Sequence, residues 1–115
     1  MIICFDLDGT LCETDNNLPI PGRYYKSTLI PHMREVVHRF HSRGHDIWIE
    51  TARGSSYKGI SRLYKLMKLR QLTVKQLRQW DIPYTKLRVG TKFPADIFID
   101  DRCVPPSLFR PKKSK

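Results

Sequence analysis

An apolar, β-branched-rich run, Ile2, Ile3, Cys4 and Phe5, ends abruptly in Asp6-Leu7-Asp8-Gly9-Thr10. A run of this kind suits a strand buried on both faces of a parallel sheet. Gly9 lets the backbone turn sharply beyond it and approach a ligand. Two further short runs repeat the pattern of a strand ending in polar residues: Ile47–Ile49 leads into Thr51, and Ile97–Ile99 leads into Asp100 and Asp101. Leu87–Val89 is a fourth short strand. Strands alternating with helical segments predict an α/β fold, a three-layer, doubly wound (Rossmann-like) parallel sheet covered on both faces. In such folds, sites lie beyond the carboxyl ends of the strands. Asp6, Thr51 and the pair Asp100–Asp101 each follow a strand and are expected to converge there.

The connecting segments carry their own punctuation. Residues 9–29 are polar and hold Asn16, Asn17, Pro19, Pro21 and Gly22, which predicts a loop folded back as a small flap. Pro31, then Met33, Val36, Val37 and Phe40, with Gly44 beyond, spell an amphipathic helix. Ile60, Leu63, Tyr64 and Met67 repeat at helical spacing among Arg62, Lys65 and Lys68, predicting a basic amphipathic helix with Tyr64 on its core side; Tyr24, Tyr25, Tyr57 and Tyr64 form no recognisable stacking motif for RNA. Thr73 reads as the cap of a separate helix holding Val74, Leu77 and Trp80. Asp81–Tyr84 reads as a turn.

A chain of 115 residues has room for one core, here assigned to residues 1–103, with 104–115 as a basic tail. No apolar run approaches the ~20 residues a membrane span needs, and the start leaves no room for a cleavable leader, so a cytoplasmic setting is expected. Cys4, Cys12 and Cys103 show no paired spacing, which argues against a disulfide framework and a zinc site. His38, His41 and His45 read as a solvated helix face rather than a metal site, for no acid or thiol joins them at ligand spacing. The formal charge of +10, concentrated from Lys58 to Arg78 and in the tail, favours anionic partners.

Asp6 and Asp8 repel each other unless a divalent cation neutralises them, and magnesium prefers hard oxygen ligands of this kind. The run Phe5-Asp6-Leu7-Asp8-Gly9-Thr10 resembles the first motif of the haloacid-dehalogenase phosphatases. The resemblance implies that Asp6 attacks phosphorus to give an aspartyl-phosphate. Asp8 would then protonate the leaving oxygen and later activate the hydrolytic water. Glu50-Thr51-Ala52-Arg53-Gly54 resembles the second motif, in which the Thr51 hydroxyl and neighbouring N–H groups, Ala52 included, hold phosphoryl oxygens. Arg53 would fork two hydrogen bonds to phosphate, with a surface salt bridge as the alternative.

Gly90-Thr91-Lys92-Phe93-Pro94-Ala95-Asp96 is similar to the third motif, with one residue displaced before the lysine. Lys92 would offset charge on the nucleophile and the phosphoryl group, and Lys86 is the competing lysine. Ile99-Asp100-Asp101-Arg102 resembles the fourth. The implied Mg2+ ligands are the Asp6 side chain, the Asp8 backbone carbonyl and Asp101 as the direct ligand of the acidic pair, with Asp100 acting through water or orienting a neighbour. The stretch from Leu72 onward resembles small members related to capsular-polysaccharide and polynucleotide phosphatases.

No insertion is long enough for a cap domain, so the resemblance implies an open site. Such a site suits a bulky substrate, or a small one enclosed by a second subunit of a homo-oligomer. A magnesium-dependent phosphatase acting on phosphate monoesters, with nucleotides or nucleic-acid ends favoured by the charge, is the expected function. The alternatives are a sugar-phosphate phosphatase and a weakly active, nucleic-acid-binding accessory protein of the same fold.

Overall fold

The computed structural model describes residues 1–90 and 97–99. Its main sheet has four strands, β1 (Ile2–Asp6), β4 (Asp46–Thr51), β5 (Lys86–Val89) and β6 (Ile97–Ile99), in the order β5-β4-β1-β6. All three pairings are parallel. The register sets Ile3 opposite Ile47 and Phe5 opposite Ile49 and Ile99, while Ile49 faces Leu87. Because side chains alternate across a strand, these residues form one continuous apolar face, and all six are buried.

Two long helices pack on that face. In α2 (Pro31–Ser42), Pro31 stands at the first turn, where its missing N–H costs nothing. Met33, Val36 and Val37 are buried at helical spacing, and Gly44 ends the element at φ +86°, a conformation that glycine adopts without the clash of a Cβ. The second, α3 (Arg62–Gln79), contributes Leu77 to the same core cluster. The two meet where Arg34 Nη1 donates to the Trp80 carbonyl at 3.5 Å and His38 Nε2 donates to the Asp81 carbonyl at 2.6 Å. Consecutive right-handed crossovers moving the same way, β1 to β4 to β5, put both helices on one side. Among the described residues the remaining helix is a short one in the flap, so these residues show helical cover on one face of the sheet and not the expected three layers.

One expectation is corrected. Residues 62–79 form a single helix of 18 residues, not two helices with a cap at Thr73. Neither glycine nor proline interrupts the segment, and the Thr73 hydroxyl donates back to the Leu69 carbonyl at 2.8 Å, the i−4 bond that a mid-helix threonine can make.

The polar stretch after the first strand is indeed a flap. β2 (Cys12–Glu13) and β3 (Thr28–Leu29) pair antiparallel, with a short helix α1 (Gly22–Tyr25) between them. No helix among the described residues is long and apolar enough to cross a membrane.

Candidate active site

β1 and β4 end side by side, with Asp6 opposite Glu50. Beyond Asp6 the chain stays in register for one more residue, since Leu7 N donates to the Glu50 carbonyl at 3.1 Å. It then turns at Gly9, φ +85°, and the Leu7 carbonyl accepts from the N–H groups of Thr10, Leu11 and Cys12. Leu7 is fully buried. Anchored between the two acids, it leaves Asp6 and Asp8 on the same side of the extended run. Both line a cavity of about 310 Å³ with Ala52, Arg53, Ser55 and Ser56, and with Asn16, Arg23 and Tyr24 from the flap.

Arg53 is the largest fully buried side chain among the described residues. Its Nε donates to both Asp8 oxygens at 3.2 and 3.0 Å, and its Nη2 donates to Asp8 Oδ1 at 2.9 Å. On the other side, Nη1 donates to Thr73 Oγ1 at 3.2 Å and to Gln76 Oε1 at 2.6 Å, while Nη2 also reaches Ser27 Oγ at 3.3 Å. A guanidinium has five N–H donors, and each has a protein acceptor here. The Tyr24 ring lies 4.9 Å from the guanidinium carbon. Arg53 thus borders the cavity with its fork committed to Asp8. The salt bridge it makes with Asp8 is interior rather than at the surface.

Asp8 receives more donors than Arg53 alone supplies. Thr14 Oγ1 donates to Oδ1 at 2.7 Å, Thr51 Oγ1 to Oδ2 at 3.2 Å, and the Cys12 thiol to Oδ1 at 3.5 Å. Burial pushes the carboxyl's pKa up, but the hydrogen bonds and charge of Arg53, helped by Thr14 and Cys12, outweigh it and hold the group below its ordinary 3.8. Asp8 is therefore ionised at neutral pH. Cys12 is affected in the opposite sense: burial first, then the Asp8 charge, pushes its thiol up to about 12. It is an uncharged donor rather than a nucleophile.

Thr51 has two partners, since its hydroxyl also accepts from the Arg53 backbone N–H at 3.1 Å. That bond folds the 51–53 turn so that the arginine points inward while Ala52 remains exposed at the rim. The structure thus brings together Asp6, Asp8, Thr51, Ala52 and Arg53. Lys92, Asp100 and Asp101 lie outside the described residues. β6 runs parallel to β1 with Ile99 opposite Phe5, so it ends at the same edge of the sheet as Asp6. Lys86 is at the opposite end of its strand, paired with Trp48, three residues before the edge where the site lies, which removes it as a site lysine.

The sequence reading missed Thr14, Ser27, Thr73 and Gln76. Two of them left a signal. Thr73 and Gln76 sit on the buried stripe of α3 with Leu69 and Leu77, and polar residues on a core-facing stripe imply a buried polar partner. Gln76 also donates to the Tyr24 carbonyl at 2.7 Å, fastening the flap to the helix.

No family model matches the chain, and no curated protein matches it either. Among solved structures, it is similar to a structural-genomics target from Vibrio cholerae, with 28% identity and a TM-score of 0.61, over 94% of this chain and 85% of that one. Two structures of a Pnkp1/Rnl/Hen1 complex, one described as an RNA repair complex, share the fold. One matches at 22% identity and TM-score 0.55 over 76% of this chain, the other at 20% and 0.57 over 94%. The chain spans only 24% and 32% of those larger chains.

Proposed function

We propose that this chain is a phosphatase of the haloacid-dehalogenase type that hydrolyses phosphate monoesters through an aspartyl-phosphate on Asp6, with nucleotides or nucleic-acid ends as substrates. The observation that carries the reading is the placement of two acids in one cavity at the carboxyl end of the sheet. Asp6 and Asp8 both line it, and Asp8 is fixed and ionised by Arg53, Thr51 and Thr14.

In the first step an Asp6 carboxylate oxygen bonds to phosphorus as the ester P–O bond breaks. Asp8 gives its proton to the departing oxygen. In the second step Asp8 takes a proton from water, whose oxygen attacks phosphorus and releases Asp6. Splitting the displacement in two lowers the barrier of each part, and the ionised Asp8 favours the second step. For the first step Asp8 takes up a proton from solvent water as the phosphoryl dianion enters, since a nearby negative charge raises a carboxyl's pKa; the proton it gains from water in the second step returns to solvent when phosphate leaves. Arg53 is a positioning residue here, acting on the substrate through Asp8.

Asp6 and Asp8 supply hard oxygen donors of the kind magnesium prefers. Both Asp8 side-chain oxygens accept protein hydrogen bonds, so Asp8 would contribute its backbone carbonyl beside the Asp6 carboxylate, and Asp100 and Asp101 would complete the set. Magnesium bound there would neutralise charge on the transferring phosphoryl group. The net charge of +10 favours an anionic polymer over a sugar phosphate. The two RNA-repair relatives support the fold alone.

A Mg2+-dependent screen of phosphate monoesters tests the proposal. Asp6→Asn is expected to lower turnover at least a thousandfold and to abolish the phosphoenzyme trapped by acid quench. Hydrolysis that survives the substitution rejects Asp6 as the nucleophile.

A further inference from the structure

Residues 51–80 hold eight Lys and Arg and no Asp or Glu. Within them, α3 carries Arg62, Lys65, Lys68, Arg70, Lys75 and Arg78 with no acid to pair at i±4, and its first turn has neither an acidic residue nor a side-chain cap. A helix ordinarily places acids at its N-terminus and intersperses opposite charges. Here the charges repel one another, and the helix would gain from an external anion. The same ridge exposes large apolar side chains: Leu63, Tyr64 and Met67 are 69%, 63% and 54% accessible, and Ile60 is fully exposed.

The aromatic and basic residues alternate. Lys65 Nζ stands 5.3 Å from the centre of the Tyr57 ring, and Lys68 Nζ stands 5.5 Å from that of Tyr64. The ridge is continuous with the cavity. Ser55 and Ser56 line its wall, Tyr57 follows them in the chain, and Gly54 packs so tightly on the helix that an added Cβ would lie 2.5 Å from Leu66 and 3.1 Å from Leu69.

We propose that the ridge from Ser55 through Tyr57, Tyr64, Lys65 and Lys68 is a binding track for single-stranded nucleic acid, carrying the segment adjoining an end whose phosphate lies in the cavity. Bases stack on tyrosine faces while lysines follow the phosphates, the combination that binds single strands without sequence preference. A second copy of the chain would bring equal positive charge against this surface. An acidic protein would satisfy the lysines but has no use for alternating rings. The inference deepens the phosphatase reading by naming where its polymer substrate lies.

The experiment measures fluorescence anisotropy of an end-phosphorylated single-stranded oligonucleotide with the Asp6→Asn chain, alone and combined with Tyr64→Ala or with Lys65→Gln/Lys68→Gln. Each change alters exposed side chains and spares the core. Tyr64→Ala is expected to weaken binding about tenfold. The double lysine change should lower the slope of log K against log salt by about 1.4. In the chain with Asp6 intact, hydrolysis of a small aryl phosphate should be unaffected by either change. Unaltered oligonucleotide affinity in both variants overturns the track while leaving the phosphatase reading standing. Loss of affinity in the lysine variant alone, with polyglutamate competing as well as the oligonucleotide, also overturns it, in favour of an acidic protein. Hydrolysis persisting in Asp6→Asn overturns the phosphatase reading while leaving the binding result intact.

Discussion

Arg53 and the lysines of α3 carry the same charge in adjoining parts of the molecule and are governed by different physics. Every N–H of Arg53 has an acceptor inside the protein, whereas Lys65 and Lys68 rest on aromatic rings at the surface. A buried charge interacts strongly and is screened little by salt. An exposed one is worth little until a partner displaces its water and counterions. The interior cation therefore fixes geometry, and the exterior ones are left to meet something else. If that division is right, substitutions in the two regions should differ in size, in pH dependence and in salt dependence.

The largest effect should come from Arg53→Ala. It leaves the Asp8 carboxylate without its counter-ion in a partly buried site and strips partners from Thr73, Gln76 and Ser27, a class of change that costs about 3–5 kcal/mol. Urea denaturation measures it, and a loss below about 1 kcal/mol would show that the pair contributes no more than a surface salt bridge.

The pH profile sharpens the same point. In the native chain the folded-state pKa of Asp8 lies below the ordinary 3.8. The contribution is therefore complete above the unfolded value and is lost as pH falls through the folded one. Without Arg53, burial acts with less opposition and raises the folded pKa relative to the native chain. The stability lost between about pH 5 and pH 3 should consequently shrink in the variant, or change sign. An unchanged slope would mean that another group governs acid unfolding.

This interior network was only partly legible in the sequence. Asp6, Asp8, Thr51 and the sheet that gathers them follow from apolar runs ending in polar residues, a pattern that is local. Asp8 and Arg53 are separated by 45 positions, and nothing in a linear motif distinguishes an arginine facing a ligand from one facing its own protein. Thr73 was misread because threonine is a good cap and helix breaks are inferred from composition. Its hydroxyl instead bonds the Leu69 carbonyl within the helix and accepts from Arg53, 20 residues away. The flap was predicted from its prolines, but its contribution of Thr14 and Ser27 to the site was not, since hydroxyl residues in a polar loop look alike. Of the exposed ridge only the charge was legible, because solvated charge requires no tertiary partner. Ile60, Leu63, Tyr64 and Met67 recur at the spacing of a core-facing stripe, yet all four are exposed, and helical spacing alone cannot tell a stripe that meets the sheet from one that projects beyond it.

Thr73→Val tests the middle of the range. Valine keeps the shape and removes a hydroxyl that accepts from Arg53 at 3.2 Å and donates to Leu69 at 2.8 Å. Leaving a buried guanidinium N–H unpaired should cost about 1–3 kcal/mol. If Arg53 fixes Asp8 as the interior network implies, phosphatase turnover should fall with it while oligonucleotide affinity stays level. A variant that loses affinity but retains turnover would mean that the network supports the ridge rather than the acids.

The smallest effect belongs to Lys86, the lysine that the sequence left in competition with Lys92. Its ammonium sits 4.7 Å from the centre of the Trp48 ring, on an exposed residue at the start of β5 rather than at the end where the acids gather. A cation over a ring at such a position contributes roughly 0.5–1 kcal/mol. Lys86→Gln should therefore lower stability by about that amount and leave the turnover of any phosphate ester within twofold, whereas Lys92→Gln should depress turnover by orders of magnitude if that lysine offsets phosphoryl charge. The reverse ranking would contradict the strand direction that separates Lys86 from the acids. Its small value is informative for the comparison as well: a lysine with an aromatic partner and no anion contributes little, which is the state in which α3 holds its own lysines until a strand of phosphates arrives.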